Sequence, residues 1–232
     1  MQHIEEAGIH SGDSACVLPP YKISSNAMKQ ISKITTDLAL ELNVVGLINL
    51  QFAFKDGSVY VLEVNPRASR TTPFVSKATN TPLARIAAQL ATGAKLKDFS
   101  LKNWDKIGHV AIKEAVLPFN KFPNESTYLS PEMKSTGEVM GISKSMGESF
   151  RRASISAGNY IPSKGTVFIS VNDTDKLNMI PIARDLSELG FKIIATTGTA
   201  NELNQNGINA KSTYKVGEGR PNVVDGIKND EI

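Results

Sequence analysis

Apolar residues recur at helical spacing across residues 27–43, at Met28, Ile31, Ile34, Leu38 and Leu42, which predicts an amphipathic helix with one buried face. The period then changes. Residues 46–54 and 59–64 are β-rich runs on either side of Lys55-Asp56-Gly57-Ser58, a hairpin signal. A short helix is predicted over 82–93, with Pro82 near its start and Gly93 past its end. Residues 109–117 read as a strand that stops at Pro118, and 145–155 as another helix. Turn formers then cluster over 157–165, which predicts a linker. Beyond it, strands over 166–171, 191–196 and 208–216 alternate with a helix over about 173–189 and a second after Thr199-Ala200. A further helix begins over 222–228. Such alternation implies a parallel sheet with right-handed crossovers. Because the chain stops in or just after a helix, a further strand is expected, and the C-terminus reads as a cut. The expected domains are 1–158 and 159–232.

Composition narrows the partners. In 232 residues, 41% are hydrophobic and 21% charged, which is ordinary for a soluble globular protein. The net charge of +3 is mild and the lysines are scattered, so nucleic acid is not expected as a partner. Cys16 is the single cysteine, which excludes an internal disulfide and points to a reducing, cytoplasmic location. No apolar run approaches the length of a membrane span, and the N-terminus lacks the pattern of a secretory signal. Small molecules and soluble proteins remain.

The hairpin carries the most chemistry. Side chains alternate faces along a strand, so Glu63 and Asn65 share one face and Leu62 and Val64 take the other, buried one. A two-residue loop at Asp56-Gly57 places Gln51 opposite Leu62, away from Glu63. A three-residue loop, with Gly57 left-handed, shifts the register by one and gathers Gln51, Glu63 and Asn65, and this odd-length loop is the expectation. Three oxygen-bearing side chains on a rigid surface suit Mg²⁺ or Mn²⁺, and Arg67 and Arg70 follow as a fork for phosphate oxygens. The same alternation also describes a plain solvated strand face.

Glu63-Val64-Asn65-Pro66-Arg67 with the upstream Gln51 resembles the metal and nucleotide signature of ATP-grasp enzymes. Further stretches resemble the carbamoyl phosphate synthase large-subunit family in particular. These are His10-Ser11-Gly12-Asp13-Ser14-Ala15, Arg67-Ala68-Ser69-Arg70-Thr71, Pro73-Phe74-Val75-Ser76-Lys77-Ala78, Leu117-Pro118-Phe119-Asn120-Lys121-Phe122 and Ser135-Thr136-Gly137-Glu138-Val139-Met140-Gly141. The resemblance implies the C-terminal lobe of the second ATP-grasp domain, an antiparallel sheet with helices. A truncated methylglyoxal-synthase-like doubly wound domain then follows, so the fold class is mixed α/β and α+β. It implies ATP as co-substrate and Mg²⁺ or Mn²⁺ as metal. By the same resemblance Gln51 and Glu63 bind one ion and the nucleotide phosphates, while Glu63 and Asn65 bind a second ion. Gly8, Ile9, His10 and Ser11 would line the ribose and adenine, and Arg67 and Arg70 would stabilise the transferred phosphoryl group. The implied reaction phosphorylates carbamate to carbamoyl phosphate. The carbamate comes from bicarbonate, a first ATP and ammonia from a small glutaminase subunit. The N-terminal part of the large subunit would be the other partner, and the stretch by itself is expected to be inactive.

In the second region, Phe191–Thr196 feeding Thr197-Gly198-Thr199-Ala200 reads as a Gly/Thr turn at a helix N-terminus, an anion site or merely a cap. The resemblance makes Lys176, Thr196, Thr199 and Lys215 contacts to the phosphate of UMP or IMP. It makes Glu5, Asp13 and Glu114 contacts to ornithine. Three rival readings are another ATP-grasp ligase, a stand-alone nucleotide-binding regulatory module, and a free methylglyoxal synthase.

Overall fold

The structure is a computed structural model that describes residues 1–101 and 104–232. The chain forms two compact units, Met1–Ile161 and Pro162–Ile232.

The first unit is built on a four-stranded antiparallel sheet ordered β1 (Gln2–His3), β2 (Cys16–Leu18), β5 (Val110–Val116), β6 (Gly137–Ser143). Alternating residues send each strand's side chains to two faces. Leu18 and Ala111 on one face pack against Phe74 and Ala78 of α2 (Thr72–Thr79). Val17 and Ile112 on the other pack against Ala153 of α4 (Met146–Ser156). Helix α4 starts where the Ser145 side chain accepts from the Glu148 amide, and it lies so close to β6 that a Cβ on Gly141 would meet the Ser149 carbonyl oxygen at 2.0 Å.

The expected hairpin is a separate two-stranded ribbon, β3 (Asn49–Lys55) and β4 (Ser58–Asn65), flanked by α1 (Ser25–Glu41), whose start is capped by Ser24. Helix α3 (Leu83–Ala91) follows α2. Two expectations about the ribbon need correcting. Its apolar face is only partly buried: Leu62 is 56% exposed and Phe54 and Val61 are exposed beside it, while Leu50, Phe52, Val59 and Val64 are half-buried. One helix and two strands supply too little surface to cover both faces of a ribbon. Nor does the connection have three residues, as the register shows below.

The second unit is a parallel sheet ordered β7 (Thr166–Ile169), β8 (Lys192–Thr196), β9 (Ala210–Thr213), with α5 (Lys176–Glu188) and α6 (Thr197–Gln205) as crossovers and α7 (Val223–Lys228) after β9. Ile169, Ile193, Ala195 and Ala210 of the strands meet Ala183 of α5 and Ala200 and Leu203 of α6 in one core. The predicted Thr-Gly-Thr turn is already helix: α6 begins at Thr197, directly after β8. Among the described residues, no helix is long and apolar enough to cross a membrane.

Candidate functional site

The turn of the ribbon is the two-residue Asp56-Gly57, both with positive φ (50° and 80°) and flanked by the Lys55–Ser58 pair. This is the mirror-image turn whose twist matches the strands. Pairing runs regularly from Phe54–Val59 to Phe52–Val61 and then jumps to Gln51–Glu63, Leu50–Val64 and Asn49–Asn65. Leu62 is the extra residue of a β-bulge, and the bulge supplies the one-residue shift that a longer loop was expected to give. Gln51 therefore faces Glu63. Gln51 Nε2 donates to Glu63 Oε2 at 2.9 Å and to Ser11 Oγ at 3.1 Å, while Asn65 Nδ2 donates to Glu63 Oε1 at 2.5 Å.

The donor set fits a hard divalent ion with two qualifications. A carboxylate and two amide carbonyls are oxygen ligands of the right class. The amides present their nitrogens to Glu63, so each must turn over to offer oxygen. Only one formal negative charge is present, and among the described residues no three His, Cys, Asp or Glu side chains gather as a metal site. Further anionic oxygen, such as phosphate, must complete the shell.

Around this cluster, residues 8–13 form a tight loop. His10 Nδ1 accepts from the Gly12 amide at 3.0 Å, which leaves the ring proton on Nε2 in the neutral form, and the His10 amide donates to the Ser130 carbonyl at 2.9 Å. Gly8 adopts φ +107°, a conformation open to glycine. Ile9 makes an isolated bridge with Ala7. Arg67 donates to the Ala68 carbonyl, and Arg70 Nη1 lies 2.7 Å from Met133 Sδ. Both arginines are exposed, and neither is ion-paired with a described carboxylate.

The three carboxylates singled out in this unit differ. Asp13 is buried, and its oxygens take the Ser135 and Lys134 amides at 2.8 Å each. Burial pushes its carboxyl up, but the bonds from Ser135 and Lys134 outweigh that and hold it below the usual range. Burial raises Glu5, whose Oε2 is buried without a hydrogen-bond partner. Burial also raises Glu114, against the Ala115 amide that lowers it, and the charge of Glu5 adds to the rise. Sequence reasoning missed Lys113, fully buried, whose Nζ donates to the Ser11 carbonyl at 3.1 Å. A lone strand lysine carries no signal of burial in sequence.

In the second unit the Thr196 and Thr199 side chains are buried and their hydroxyls lie 3.3 Å apart. Ser170, which sequence reasoning also missed, extends the chain of hydroxyls at 3.2 Å from Thr196. Lys176 Nζ lies over Gly198 at the start of α6 and pairs with Asp173 at 2.7 Å. Lys176 holds the Asp173 carboxyl below its ordinary value, and Lys215 contributes in the same direction. Cavities of about 320 Å³ and 430 Å³ lie elsewhere: Met28, Val75 and Trp104 help line the first, and Lys211, Tyr214 and Asn222 the second.

Residues 1–99 match the family described as "Carbamoyl-phosphate synthase L chain, ATP binding domain", and residues 178–232 match the "MGS-like domain" family. Over its full length the chain is 56% identical to the carbamoyl phosphate synthase large chain of Acidobacterium capsulatum, 57% to that of Archaeoglobus fulgidus and 54% to that of Pasteurella multocida. It spans 22% of the length of each of these relatives. With an ATP-grasp lobe followed by an MGS-like parallel sheet, and with identity this high from end to end, the chain belongs to the carbamoyl phosphate synthase large-chain family.

Proposed function

We propose that this chain is the part of a carbamoyl phosphate synthase large chain that holds the metal–phosphate face of the carbamate-phosphorylating site and an effector-binding domain. The observation that carries the reading is the bulge at Leu62, which costs the ribbon one ladder pair and gathers Gln51, Glu63 and Asn65. Gln51 and Glu63 would hold one Mg²⁺ or Mn²⁺, and Glu63 and Asn65 a second, with the phosphates of ATP completing the charge. The ions, when bound, supply electrostatic stabilisation of the phosphates. Gly8, Ile9, His10 and Ser11 would seat the nucleoside. Arg67 and Arg70, exposed and without ionic partners among the described residues, would turn toward the transferred phosphoryl group. In the reaction a carbamate oxygen bonds to the γ-phosphorus as the bond to the β,γ-bridging oxygen breaks, giving carbamoyl phosphate and ADP.

The ribbon's exposed apolar face fits coverage by the rest of a longer large chain, so the isolated stretch is read as inactive. A small glutaminase subunit would supply ammonia, in the cytoplasm. In the second unit, Ser170, Thr196 and Thr199 with Lys176 and Lys215 suit the phosphate of a nucleotide such as UMP or IMP. Glu5 and Glu114, both penalised when ionised, suit a diamino acid such as ornithine, whose cations would relieve the penalty. Asp13 is assigned a supporting part there, because its oxygens are already engaged.

The test uses the intact large chain that carries this stretch and follows ATP formation from ADP and carbamoyl phosphate. Glu63→Gln is expected to lower the rate about 100-fold or more. Wild-type rates in the variant would remove the metal assignment.

A further inference from the structure

Lys113 is fully buried in β5, one of the two inner strands of the first unit's sheet. An ammonium taken out of water is costly unless paired and hydrogen-bonded, and lysine is among the residues least often found there. Its carboxylate neighbour is a loose one: Glu138 Oε1 lies 3.5 Å away and has no hydrogen-bond partner of its own. The directed bond from Lys113 goes instead to the Ser11 carbonyl, 102 residues away in sequence, at 3.1 Å. Among the described residues no other group donates to that carbonyl.

The consequence lies one bond further on. Strand β5 is paired on both sides, to β2 and to β6, so the lysine projects from the stiffest part of the unit. Loop 8–13 has no strand ladder of its own, and the β3–β4 ribbon shares no pairing with the sheet. Ser11 is the joint between them. Its carbonyl takes Lys113, and its hydroxyl takes Gln51, which in turn holds Glu63.

We propose that Lys113 is a positioning residue for the candidate metal and nucleotide cluster: by fixing the Ser11 backbone it sets the Ser11 hydroxyl against Gln51. The proposal rests on the reading of Gln51, Glu63 and Asn65 as that cluster. Groups that orient metal ligands from behind change metal affinity about 10–100-fold when removed.

The experiment uses the ¹⁵N-labelled chain. Removing Lys113 by itself leaves Glu138 buried and unpaired, so the informative variant is the double K113M/E138Q, which removes both charges and is often tolerated by a fold. E138Q is the control: it keeps the lysine and its bond to Ser11, and the amide oxygen it introduces still faces the ammonium in place of the loose carboxylate 3.5 Å away. The side-chain amide pair of Gln51, assigned by its loss in Gln51→Ala, is expected to move toward the position of a solvated amide in the double variant and to stay in place in E138Q. Backbone amides of α3 and of the second unit, which carry neither substitution, should hold their positions in both. Mn²⁺ affinity, read by water proton relaxation, should fall about tenfold in the double variant only. A folded double variant with an unmoved Gln51 signal overturns the proposal, and so does an equal displacement in E138Q. Wild-type chain that takes up no Mn²⁺ counts against the metal reading alone, because the Gln51 signal still decides the role of Lys113.

Discussion

Asp13 and Glu5 are carboxylates held out of water whose surroundings push them in opposite directions. Asp13, held below its ordinary value of 3.8, contributes stability that is complete above that value and lost as pH falls through its lower folded value. Asp13→Asn should destabilise the first unit by about 1–3 kcal/mol at pH 7, and the difference should vanish in strong acid. Urea titrations at both pH values check this, and an unchanged midpoint at pH 7 would dismiss the two amide bonds as a source of stability. Glu5 has the reverse sign. Its folded value lies above 4.5, so it favours the fold below that pH and works against it as pH rises through the raised value. Glu5→Gln should therefore gain stability over wild type at pH 8 and none at pH 4; a loss at pH 8 would refute the penalty. Cys16 gives a third readout: burial pushes its thiol up to about 12, so iodoacetamide should label it only when the first unit unfolds. Labelling at the rate of a free thiol in the folded chain would contradict that.

Among the elements, helix positions were the easiest to read, because apolar spacing and end signals are local. The helices expected over 27–43 and 82–93 are found at Ser25–Glu41 and Leu83–Ala91. Strands β2 and β6 escaped for different reasons. Cys16-Val17-Leu18 is too short for a period, and β6 carries Gly137 and Gly141, which in sequence read as turn formers. In the fold Gly141 is required by the close passage of α4 rather than by a turn: any Cβ there would meet the Ser149 oxygen and the Ala153 nitrogen at 2.0 and 2.6 Å. Gly141→Ala should accordingly destabilise the first unit by about 1–3 kcal/mol through forced separation of α4 from the sheet. A thermal melt within error of wild type would show that the helix shifts at no cost. Helix α2 was also missed. Its start, Thr72-Pro73, follows an arginine-rich stretch, and its buried Phe74 and Ala78 become meaningful only against Leu18 and Ala111.

At the scale of the molecule the two units have separate cores, so unfolding should not be two-state. A ligand stabilises the unit that binds it by RT ln(1 + [L]/Kd). If the proposed sites are right, Mn²⁺ with ATP should raise only the transition reported by Cys16 labelling, whereas UMP should raise only the transition of the second unit. Calorimetry with simultaneous labelling distinguishes the two, and a UMP effect confined to the first transition would reassign the effector site.

The sequence alone determined what depends on near neighbours: the amphipathic helices, the hairpin, the strand–helix alternation of the second unit, and the side-chain types of the candidate site. It also carried the family resemblance, since that is written in residue order. Tertiary structure decided what depends on register and burial. A two-residue turn and a three-residue loop give opposite faces, and a bulge restores the one that the turn reverses, so parity along a ribbon is a property of the paired strands and not of either run of residues. Likewise, nothing local marks Lys113 as buried or Asp13 as saturated, because their partners lie 102 and more than 120 residues away and reach them only when the chain folds.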